Sequence, residues 1–297
     1  MNILVIGGTG LVGSHVVQGL VAKGEQVHIL TRSADKADVL PLGAGGMIGD
    51  LRKPETMRWA MRGIDRVCLI TPLSPTETEE GLAVVTAANR AGVRHLVYLS
   101  VYHGEQAPHI PHFKSKMEIQ TALRDSGMAF TLIMPNNFFQ NDLVYRESIL
   151  NEGVYSQPIG DIGLSRVDVR DIADAVVTTL TQTGHEFHCY PLIGAEVLTG
   201  QDVADIYARA LGREIRYGGN DLEVWEKKAT RALPGWLIQD LKLMYEFFQR
   251  EGLRASEEDF ALQAKVLGHL PRCFHTFVKE TVATWERDRP RKHATVG

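Results

Sequence analysis

ILVIGGTGLVG, at residues 3–13, is the stretch from which the fold of this chain follows. It joins an apolar run of strand type, Ile3–Ile6, to the glycine-rich segment Gly7–Gly13, and an amphipathic segment of helix type, Leu11–Lys23, continues from there. A glycine-rich loop between a strand and a helix is typical of the first crossover of a dinucleotide-binding fold. We therefore predict a nucleotide-binding fold that begins with the first residues.

Short apolar runs and helix-like segments alternate along the first half of the chain. The further predicted strands are Gln26–Leu30, Gly46–Ile48, Arg66–Ile70, His95–Leu99 and Phe130–Met134. The further predicted helices are Pro54–Met61, Thr76–Ala91, Lys114–Asp125 and Asn137–Leu150. Apolar strands that alternate with helices predict a parallel sheet covered on both faces, and right-handed crossovers make it a doubly wound α/β fold.

The alternation becomes irregular after Asn151. The later predicted elements are a short strand Val167–Asp168, a helix Asp171–Leu180, a strand Phe187–Ile193, a helix Gly200–Leu211, a short strand Glu214–Tyr217 and a mainly helical region, Leu222–Glu286. We interpret residues 1–150 as a Rossmann domain to which residues 165–182 return, residues 183–289 as a smaller, mainly helical substrate lobe, and residues 290–297 as a flexible tail. Ligands of such folds bind in the crevice at the carboxyl edge of the sheet.

Composition and charge argue against several classes of function. The 297 residues carry a net charge of -4, which gives no basic footprint for nucleic acid. No apolar run approaches the roughly 18 residues of a membrane span, and no basic segment precedes the first apolar run as in a signal peptide. Three widely separated cysteines predict neither a disulfide framework nor a metal knuckle. We expect a cytoplasmic protein whose partner is a small molecule; its oligomeric state stays open.

Three glycines of the loop have distinct predicted roles. Gly7 permits the tight turn, Gly10 lets the backbone approach a pyrophosphate, and Gly13 lets the helix pack close to the strand. The helix N-terminus then presents backbone amide groups and a partial positive charge to the phosphates. The predicted phosphate-binding residues are therefore Gly7, Thr9, Gly10, Leu11, Val12 and Gly13.

Residues that follow the next strands indicate which dinucleotide is bound. The second strand ends in Leu30-Thr31-Arg32-Ser33, without the carboxylate that binds the ribose hydroxyls of NAD(H). Arg32 can pair instead with a 2′-phosphate, so we predict NADP(H) in preference to NAD(H). Asp50 can accept a hydrogen bond from an adenine amino group or cap the following loop. Thr71 and Pro72 lie on the path of the ribose–pyrophosphate arm.

Several further motifs accompany the glycine loop and Arg32. They are Gly49-Asp50-Leu51, Ala91-Gly92-Val93 with Leu96–Ser100, Ser126-Gly127 with Phe130-Thr131-Leu132, Pro135–Asn141 and Val167–Ala173. From Met1 to about Tyr217 the chain resembles the NmrA-like, atypical branch of the short-chain dehydrogenase/reductase superfamily. The resemblance implies an NADP(H)-binding Rossmann fold. It also implies either NADPH-dependent reduction of quinones, triphenylmethane dyes or plant phenolics, or redox sensing without turnover.

The catalytic pattern of the wider superfamily, Tyr-x-x-x-Lys, occurs at none of the eight tyrosines. The corresponding region reads His112-Phe113-Lys114-Ser115-Lys116, and residues four apart share one face of a helix. His112 can exchange protons near neutral pH, and Lys116 can bias it and bind ribose hydroxyls. The resemblance adds that Lys116 matches a lysine of the phenolic reductases. The structural alternatives are a turn residue for His112 and a solvated lysine.

Other candidate residues flank this region. Ser100, at the end of the fifth strand, is a candidate for binding the cofactor and polarising a carbonyl, and Tyr102 is a candidate for contacting substrate. A packed strand end is the alternative for both. The resemblance places Asn137 and Phe138 beside the nicotinamide, and Phe139 is a candidate for the substrate wall.

Three histidines, His103, His109 and His112, lie close together in the sequence. We predict no metal site there, because no complete set of ligands accompanies them. The chain as a whole predicts an NADPH-dependent reductase that passes hydride to a small aromatic or quinone-like electrophile. The alternatives are a non-catalytic NADP(H) sensor and an isomerase or epimerase that uses bound dinucleotide.

Overall fold

The computed structural model describes residues 1–32, 40 and 43–288, in which strands and helices mostly alternate up to residue 217 and helices follow. The strands are β1 (Asn2–Ile6), β2 (Gln26–Thr31), β3 (Ala44–Ile48), β4 (Arg66–Leu69), β5 (His95–Leu99), β6 (Phe130–Pro135), β7 (Val154–Tyr155), β8 (His188–Leu192) and β9 (Arg216–Tyr217). The α-helices are α1 (Leu11–Ala22), α2 (Pro54–Ala60), α3 (Glu77–Ala91), α4 (Pro111–Asp125), α5 (Val169–Thr181), α6 (Gly200–Leu211), α7 (Leu222–Ala229), α8 (Gly235–Glu251), α9 (Glu257–Leu267) and α10 (Phe274–Arg287). None of the described helices combines the length and the apolar composition needed to cross a membrane.

Seven of these strands form one parallel sheet in the order β3-β2-β1-β4-β5-β6-β8. The direction of the connections reverses between β1 and β4, so the ends of these two strands border the crevice where doubly wound folds bind ligands. Ile3 and Val5 share a core with α1 and α5, whereas Leu4 and Ile6 share the opposite core with α2, α3 and α4. The predicted doubly wound parallel α/β fold is confirmed.

The elements predicted before residue 136 are present, with ends that differ by no more than three residues. The largest difference is at α4, which begins at Pro111 rather than Lys114. Proline is tolerated in the first turn of a helix, because the N–H group that it lacks has no partner within the helix there. This earlier start brings His112 into the helix.

The single helix predicted at Asn137–Leu150 is wrong. The segment forms a 3-10 helix, Phe139–Tyr145, followed by a short π-helix, Ser148–Glu152. Arg166 donates hydrogen bonds to the backbone carbonyl oxygens of Phe138 at 2.7 Å and Phe139 at 3.5 Å. In an α-helix those oxygens would accept amide groups four residues further along. Here the Phe138 oxygen accepts the N–H of Asn141, only three residues further along, at 3.2 Å, and is shared with Arg166.

Two later segments also differ from prediction. The strand predicted at Val167–Asp168 is wrong, because Val167 makes only an isolated bridge and Asp168 caps α5 through the N–H of Arg170. Strand β8 pairs with β6 in the large sheet, although the sequence analysis placed it in the lobe that starts at residue 183. The division into domains otherwise stays a prediction, and the tail at 290–297 lies outside the described residues.

A second hydrophobic core lies among the helices that follow the sheet and the segment after β6. Aromatic rings make up much of it. Tyr207 stacks on Trp285 with ring centroids 5.9 Å apart, and Phe139 packs edge-on against Phe274 at 4.9 Å. Such pairs add stability beyond the apolar area that they bury.

Three side chains join this helical lobe to the carboxyl ends of β5 and β6. The hydroxyl of Tyr102, after β5, donates to Asp259 of α9 at 2.7 Å. The side-chain amide of Asn136, after β6, donates to the Leu253 carbonyl oxygen at 2.8 Å. His112 of α4 bonds to Asp240 of α8. The lobe therefore lies over the edge of the sheet at which ligands are expected.

Arg166 is fully buried where the sheet meets the lobe. Its guanidinium pairs with the equally buried Asp142 at 2.7 Å and donates to the side-chain oxygen of Asn137 at 2.9 Å. The hydroxyl of Tyr155 donates to Asp142 at 3.0 Å. A buried charge is tolerated when it is paired and hydrogen-bonded, so the network depends on all of its members.

We expect Arg166→Met to lower the free energy of unfolding by about 3–5 kcal/mol, because it leaves the Asp142 carboxylate buried without its partner. Urea unfolding followed by circular dichroism measures this difference. The double variant Arg166→Met/Asp142→Asn removes both charges and should recover part of the loss.

Arg250→Met is the matched control, since Arg250 is largely exposed and pairs only with its neighbour Glu251 among the described residues. It should change the free energy of unfolding by less than about 1 kcal/mol. An Arg166→Met variant as stable as this control would contradict the role assigned to the network.

Candidate functional site

A pocket of about 230 Å³ lies at the carboxyl ends of β1, β4 and β5, between the glycine loop and α4. It is lined by Gly7, Gly10, Leu11, Val12, Gly13, Ile70, Thr71, Leu99, Ser100, Lys116 and Phe138. All of these except Ile70 and Leu99 are residues that the sequence analysis assigned to the cofactor. Ile70 and Leu99 are the last residues of apolar runs, and in a sequence such positions cannot be distinguished from core positions.

The glycine loop fits closely against β4 and α1. Gly7 has a φ of +82°, in the region that favours glycine, and a Cβ there would lie 2.6 Å from the Ile70 carbonyl oxygen. A Cβ on Gly13 would lie 2.1 Å from the Gly7 carbonyl oxygen. The N–H of Gly10 donates to that same oxygen at 3.0 Å and closes the turn. The loop therefore excludes side chains at these points and presents backbone to the pocket.

Helix α1 begins at the pocket without a side-chain cap and without an acidic residue in its first turn. Its N-cap residue is Gly10, and Leu11, Val12 and Gly13 of the first turn line the pocket. The first amide groups of a helix have no partner within the helix, and the helix dipole adds partial positive charge there. This end of α1 therefore suits a phosphate group, and the pocket fits the predicted dinucleotide.

Lys116 reaches the pocket from α4 and is held there by a buried carboxylate. Its Nζ donates to Glu77 Oε1 at 2.8 Å and to the Thr71 hydroxyl at 3.3 Å. Thr71 donates to the same Glu77 oxygen at 2.7 Å. Only 16% of the Lys116 side chain and 1% of the Glu77 side chain are exposed. The three residues form one hydrogen-bonded cluster at the pocket wall.

The surroundings keep Lys116 positively charged. Burial by itself would lower the pKa of Lys116, but the interactions with Tyr98 and Glu77 outweigh it and raise this pKa above its ordinary value. At neutral pH the side chain is an ammonium group that donates hydrogen bonds and keeps its proton. Binding and orienting a ligand are therefore the chemistry that this geometry offers to Lys116.

Glu77 is a residue of the site that the sequence analysis missed. It is the first residue of α3, in the run Thr76-Glu77-Thr78-Glu79-Glu80, where acidic side chains normally stabilise a helix N-terminus from the surface. Its Oε2 atom is buried and has no hydrogen-bond partner among the described residues. Buried acceptors normally have a hydrogen-bond partner. Because Glu77 Oε2 has none among the described residues, it is available to accept from a bound group or a water molecule.

Ser100 lines the pocket at the end of β5, as predicted. Its Oγ accepts a short hydrogen bond from the side-chain amide of Gln120, which lies four residues beyond Lys116 on α4. A hydroxyl that accepts one hydrogen bond still has its own proton to donate. Gln120 is buried and was also missed, because nothing in the sequence connects it to the end of β5.

His112 does not join Lys116 at the pocket, although the two lie four residues apart on α4. Its ring Nδ1 makes a short hydrogen bond to Asp240 of α8, and its backbone N–H donates to the same carboxylate at 3.2 Å. Only 11% of its side chain is exposed. The structure therefore places His112 outside the pocket lining, where it ties α4 to the lobe.

The two residues predicted to contact substrate, Tyr102 and Phe139, lie in the core. Each is only 1% exposed. The Tyr102 hydroxyl is engaged by Asp259, and burial raises the pKa of Tyr102. Phe139 packs between Phe274 and Phe277. Neither side chain lines the pocket. Both fill space under the lobe, which corresponds to the packed alternative for each residue.

Asn137 and Phe138 follow β6 and have different surroundings. Asn137 is buried, and its side-chain oxygen accepts from Arg166, so this oxygen is committed to the buried network. Phe138 is half-buried and lines the pocket. Of the two, Phe138 is the residue that can contact a ligand in the pocket.

Four remaining candidates, Thr9, Arg32, Asp50 and Pro72, follow β1, β2, β3 and β4 at the same edge of the sheet without lining the pocket. Thr9, Arg32 and Pro72 are exposed. The Asp50 carboxylate accepts the backbone N–H of Arg52 at 3.0 Å, and this hydrogen bond lowers the pKa of Asp50. That contact corresponds to the capping alternative for Asp50.

The three histidines that lie close in sequence point to different neighbours. His103 pairs with Glu105 at 2.8 Å, His112 bonds to Asp240, and His109 is exposed. Their imidazole rings are thus not assembled around one point.

Comparison with known proteins adds relatives along nearly the whole chain. The NmrA-like family matches residues 1–275. An NAD(P)H azoreductase of Xenophilus azovorans is 36% identical over 287 residues, which cover 95% of this chain and 99% of that protein. A (4-alkanoyl-5-oxo-2,5-dihydrofuran-3-yl)methyl phosphate reductase of Streptomyces griseus is 37% identical over 217 residues, or 72% of this chain and 76% of that protein. The solved structure of an Escherichia coli NADPH-dependent quinone oxidoreductase with NADPH has the same fold, with a TM-score of 0.85 and 23% identity over 94% of this chain and 99% of that one.

Glu77→Gln should make binding of NADP(H) depend on pH. The substitution removes one interaction that raises the pKa of Lys116, while burial continues to lower it, so the ammonium group loses its proton at a lower pH. We expect the affinity of the native protein to hold between about pH 7 and 9, and that of the variant to fall about tenfold as the pH rises.

Fluorescence titration with NADPH at a series of pH values measures this effect. Glu118→Gln is the matched control, because Glu118 lies on α4 two residues from Lys116 and is largely exposed. If both variants follow the pH profile of the native protein, Glu77 does not determine the charge of Lys116.

Arg32→Ser tests the predicted preference for NADP(H). Losing a charge-assisted contact to a 2′-phosphate should weaken NADP(H) binding about 10- to 100-fold and leave NAD(H) binding nearly unchanged. Calorimetric titration with both dinucleotides measures the two affinities. Arg52→Ser, at an exposed arginine after β3, is the control. An equal loss of affinity for both dinucleotides would show that Arg32 does not contact the 2′-phosphate.

Proposed function

The chain belongs to the NmrA-like family, and we propose that it is an oxidoreductase that uses NADPH to reduce a small aromatic or quinone-like electrophile. The observation that carries the proposal is the pocket in which the glycine loop, the uncapped N-terminus of α1 and the charged Lys116 meet. The relatives named as an NAD(P)H azoreductase and a (4-alkanoyl-5-oxo-2,5-dihydrofuran-3-yl)methyl phosphate reductase support reduction as the reaction class.

The pocket residues and Arg32, which lies outside the pocket lining, hold different parts of the dinucleotide. The loop Gly7–Gly13 and the first amides of α1 hold the pyrophosphate, and Arg32 holds the 2′-phosphate at the end of β2. Lys116 and Ser100 donate hydrogen bonds to the ribose and nicotinamide end. NADPH, when bound, supplies the hydride from its nicotinamide ring. The task of the protein is then to orient substrate against the ring and to exclude water.

The ring of Phe138 favours a flat substrate. It is half-buried at the pocket wall, behind which Arg166 holds the Phe138 carbonyl oxygen at 2.7 Å. An aromatic ring at the pocket wall offers a face or an edge for packing against another aromatic system. Quinones and aromatic dyes meet this requirement.

The proton that accompanies the hydride comes from Ser100 or from water in this proposal. Lys116 keeps its proton because its pKa is raised, and His112 faces Asp240 instead of the pocket. The Ser100 hydroxyl already accepts from Gln120 and so has its own proton to donate. Lys116 is accordingly a positioning group, which differs from the proton-exchanging role that the sequence suggested for the His112–Lys116 pair.

A small-molecule substrate and a cytoplasmic location fit the proposal. The three cysteines, Cys68, Cys189 and Cys273, are free, as expected in a reducing compartment. The net charge of -4 does not favour nucleic acid as a partner.

Consumption of NADPH, followed by its absorbance, tests the function with a panel of quinones, azo dyes and triphenylmethane dyes. We expect at least one class to be reduced at a rate that saturates with substrate. Lys116→Met should weaken NADPH binding about 10- to 100-fold, because a buried charged donor is lost. Lys114→Met, at an exposed lysine of the same helix, should leave binding and turnover unchanged.

Tight binding of NADPH without reduction of any compound in the panel would overturn the reductase and favour a sensor of the NADP(H) redox state. Interconversion of a substrate with no net consumption of NADPH would indicate an isomerase or epimerase. Equal NADPH affinity and turnover in the Lys116→Met and Lys114→Met variants would show that Lys116 does not belong to the site.

A further inference from the structure

Three side chains of metal-ligating type converge at the start of α10, and none of them lines the cofactor pocket. They are Glu196, which follows β8, and Cys273 and His275 at the N-terminus of α10. We propose that they bind a zinc ion, independently of the proposed reductase function.

One ligand atom from each of the three residues lies within 4.8 Å of the other two, close enough to surround a single ion. Cys273 Sγ lies 3.4 Å from Glu196 Oε2 and 3.8 Å from His275 Nδ1, and His275 Nδ1 lies 2.9 Å from Glu196 Oε1. Ligand atoms that sit about 2.0–2.3 Å from a tetrahedral zinc ion lie about 3.3–3.6 Å from one another. The distance from Cys273 to the carboxylate already has this value, and rotation of the Glu196 carboxylate would bring one of its oxygens to face both Cys273 and His275.

The types of ligand select zinc among the common divalent ions. A thiolate, an imidazole and a carboxylate together offer sulfur, nitrogen and oxygen, whereas calcium and magnesium require oxygen ligands. Because His275 is half-exposed and Cys273 is exposed, the fourth position is open to water. Three protein ligands and one water molecule complete the tetrahedron.

A second cluster in the same chain shows what argues against an ion. Asp171, Asp174 and His269 also lie close together, but the guanidinium of Arg272 pairs with both aspartates and already neutralises them. Among the described residues, Glu196 pairs only with His275 and with no lysine or arginine. The first cluster therefore has room and charge for a cation, and the second does not.

Glu196 also caps α10, since its Oε2 accepts the backbone N–H of Phe274 at 2.9 Å. Capping explains the position of Glu196 but not why a thiol and an imidazole are turned towards the same carboxylate. In the proposed site the thiol proton goes to solvent and the imidazole proton moves to Nε2, so binding releases one proton overall. The ion then links the segment after β8 to α10.

Cobalt(II), a spectroscopic substitute for zinc, tests the site in the full chain. We expect one equivalent to give a thiolate-to-metal charge-transfer band and the strong visible absorption of tetrahedral cobalt, and zinc to displace it. Cys273→Ser should abolish the band, and His275→Ala should weaken binding of both metals at least about tenfold. Cys189→Ser and His269→Ala should leave the spectra and affinities unchanged.

Absence of the charge-transfer band in the native protein would overturn the proposal, as would a band that persists in Cys273→Ser. Circular dichroism and NADPH binding check that each variant is folded. If Cys273→Ser proves unfolded, His275→Ala decides: unchanged affinity for zinc in that variant also overturns the site.

Discussion

The guanidinium of Arg166 is a full charge with no exposure to solvent, and the region around it is arranged to neutralise it. Asp142 supplies the counter-charge, and the guanidinium donates its other hydrogen bonds to the Asn137 side chain, the Tyr155 hydroxyl and the carbonyl oxygens of Phe138 and Phe139. Asp142, Asn137 and the two carbonyl oxygens belong to the segment after β6, so Arg166 sets the position of the Phe138 backbone at the pocket. The guanidinium also lies 5.3 Å from the centre of the Phe274 ring, on α10 of the lobe. Packing of the lobe and the shape of the site are coupled through one buried charge.

The same constraint operates at the opposite wall of the pocket. Lys116 is charged and mostly buried, and Glu77 and Thr71 hold it in place. Because the carboxylate stabilises the ammonium group, the lysine is suited to holding a ligand and unsuited to passing a proton at neutral pH. A site with this chemistry can support a reductase if the hydride comes from the dinucleotide and the proton from a hydroxyl or water.

His112 illustrates how a correct spacing can lead to a wrong partner. Residues i and i+4 do share a helix face, but α4 lies between the sheet and the lobe, and its first turn meets α8 before the pocket begins. The imidazole of His112 therefore hydrogen-bonds to Asp240, whereas Lys116, one turn later, lines the pocket. The first turn of α4 thus contacts the lobe through His112, and the next turn contacts the pocket through Lys116.

Sequence patterns were enough to predict the doubly wound fold, the glycine loop and most of the pocket lining, because these follow from patterns within a few consecutive residues. The ion-pair and hydrogen-bond partners of the charged side chains became known only from the tertiary structure: Glu77 for Lys116, Asp142 for Arg166 and Asp240 for His112. It also decided that Tyr102 and Phe139 are core and that the segment after β6 is no α-helix. A periodic pattern reports which face of an element is buried, but which side chain it meets depends on how elements distant in sequence pack together. Which counter-charge neutralises a buried charged side chain is decided only when these elements pack. Here the packing leaves Lys116 to bind a ligand, whereas Arg166 and His112 hold the fold together.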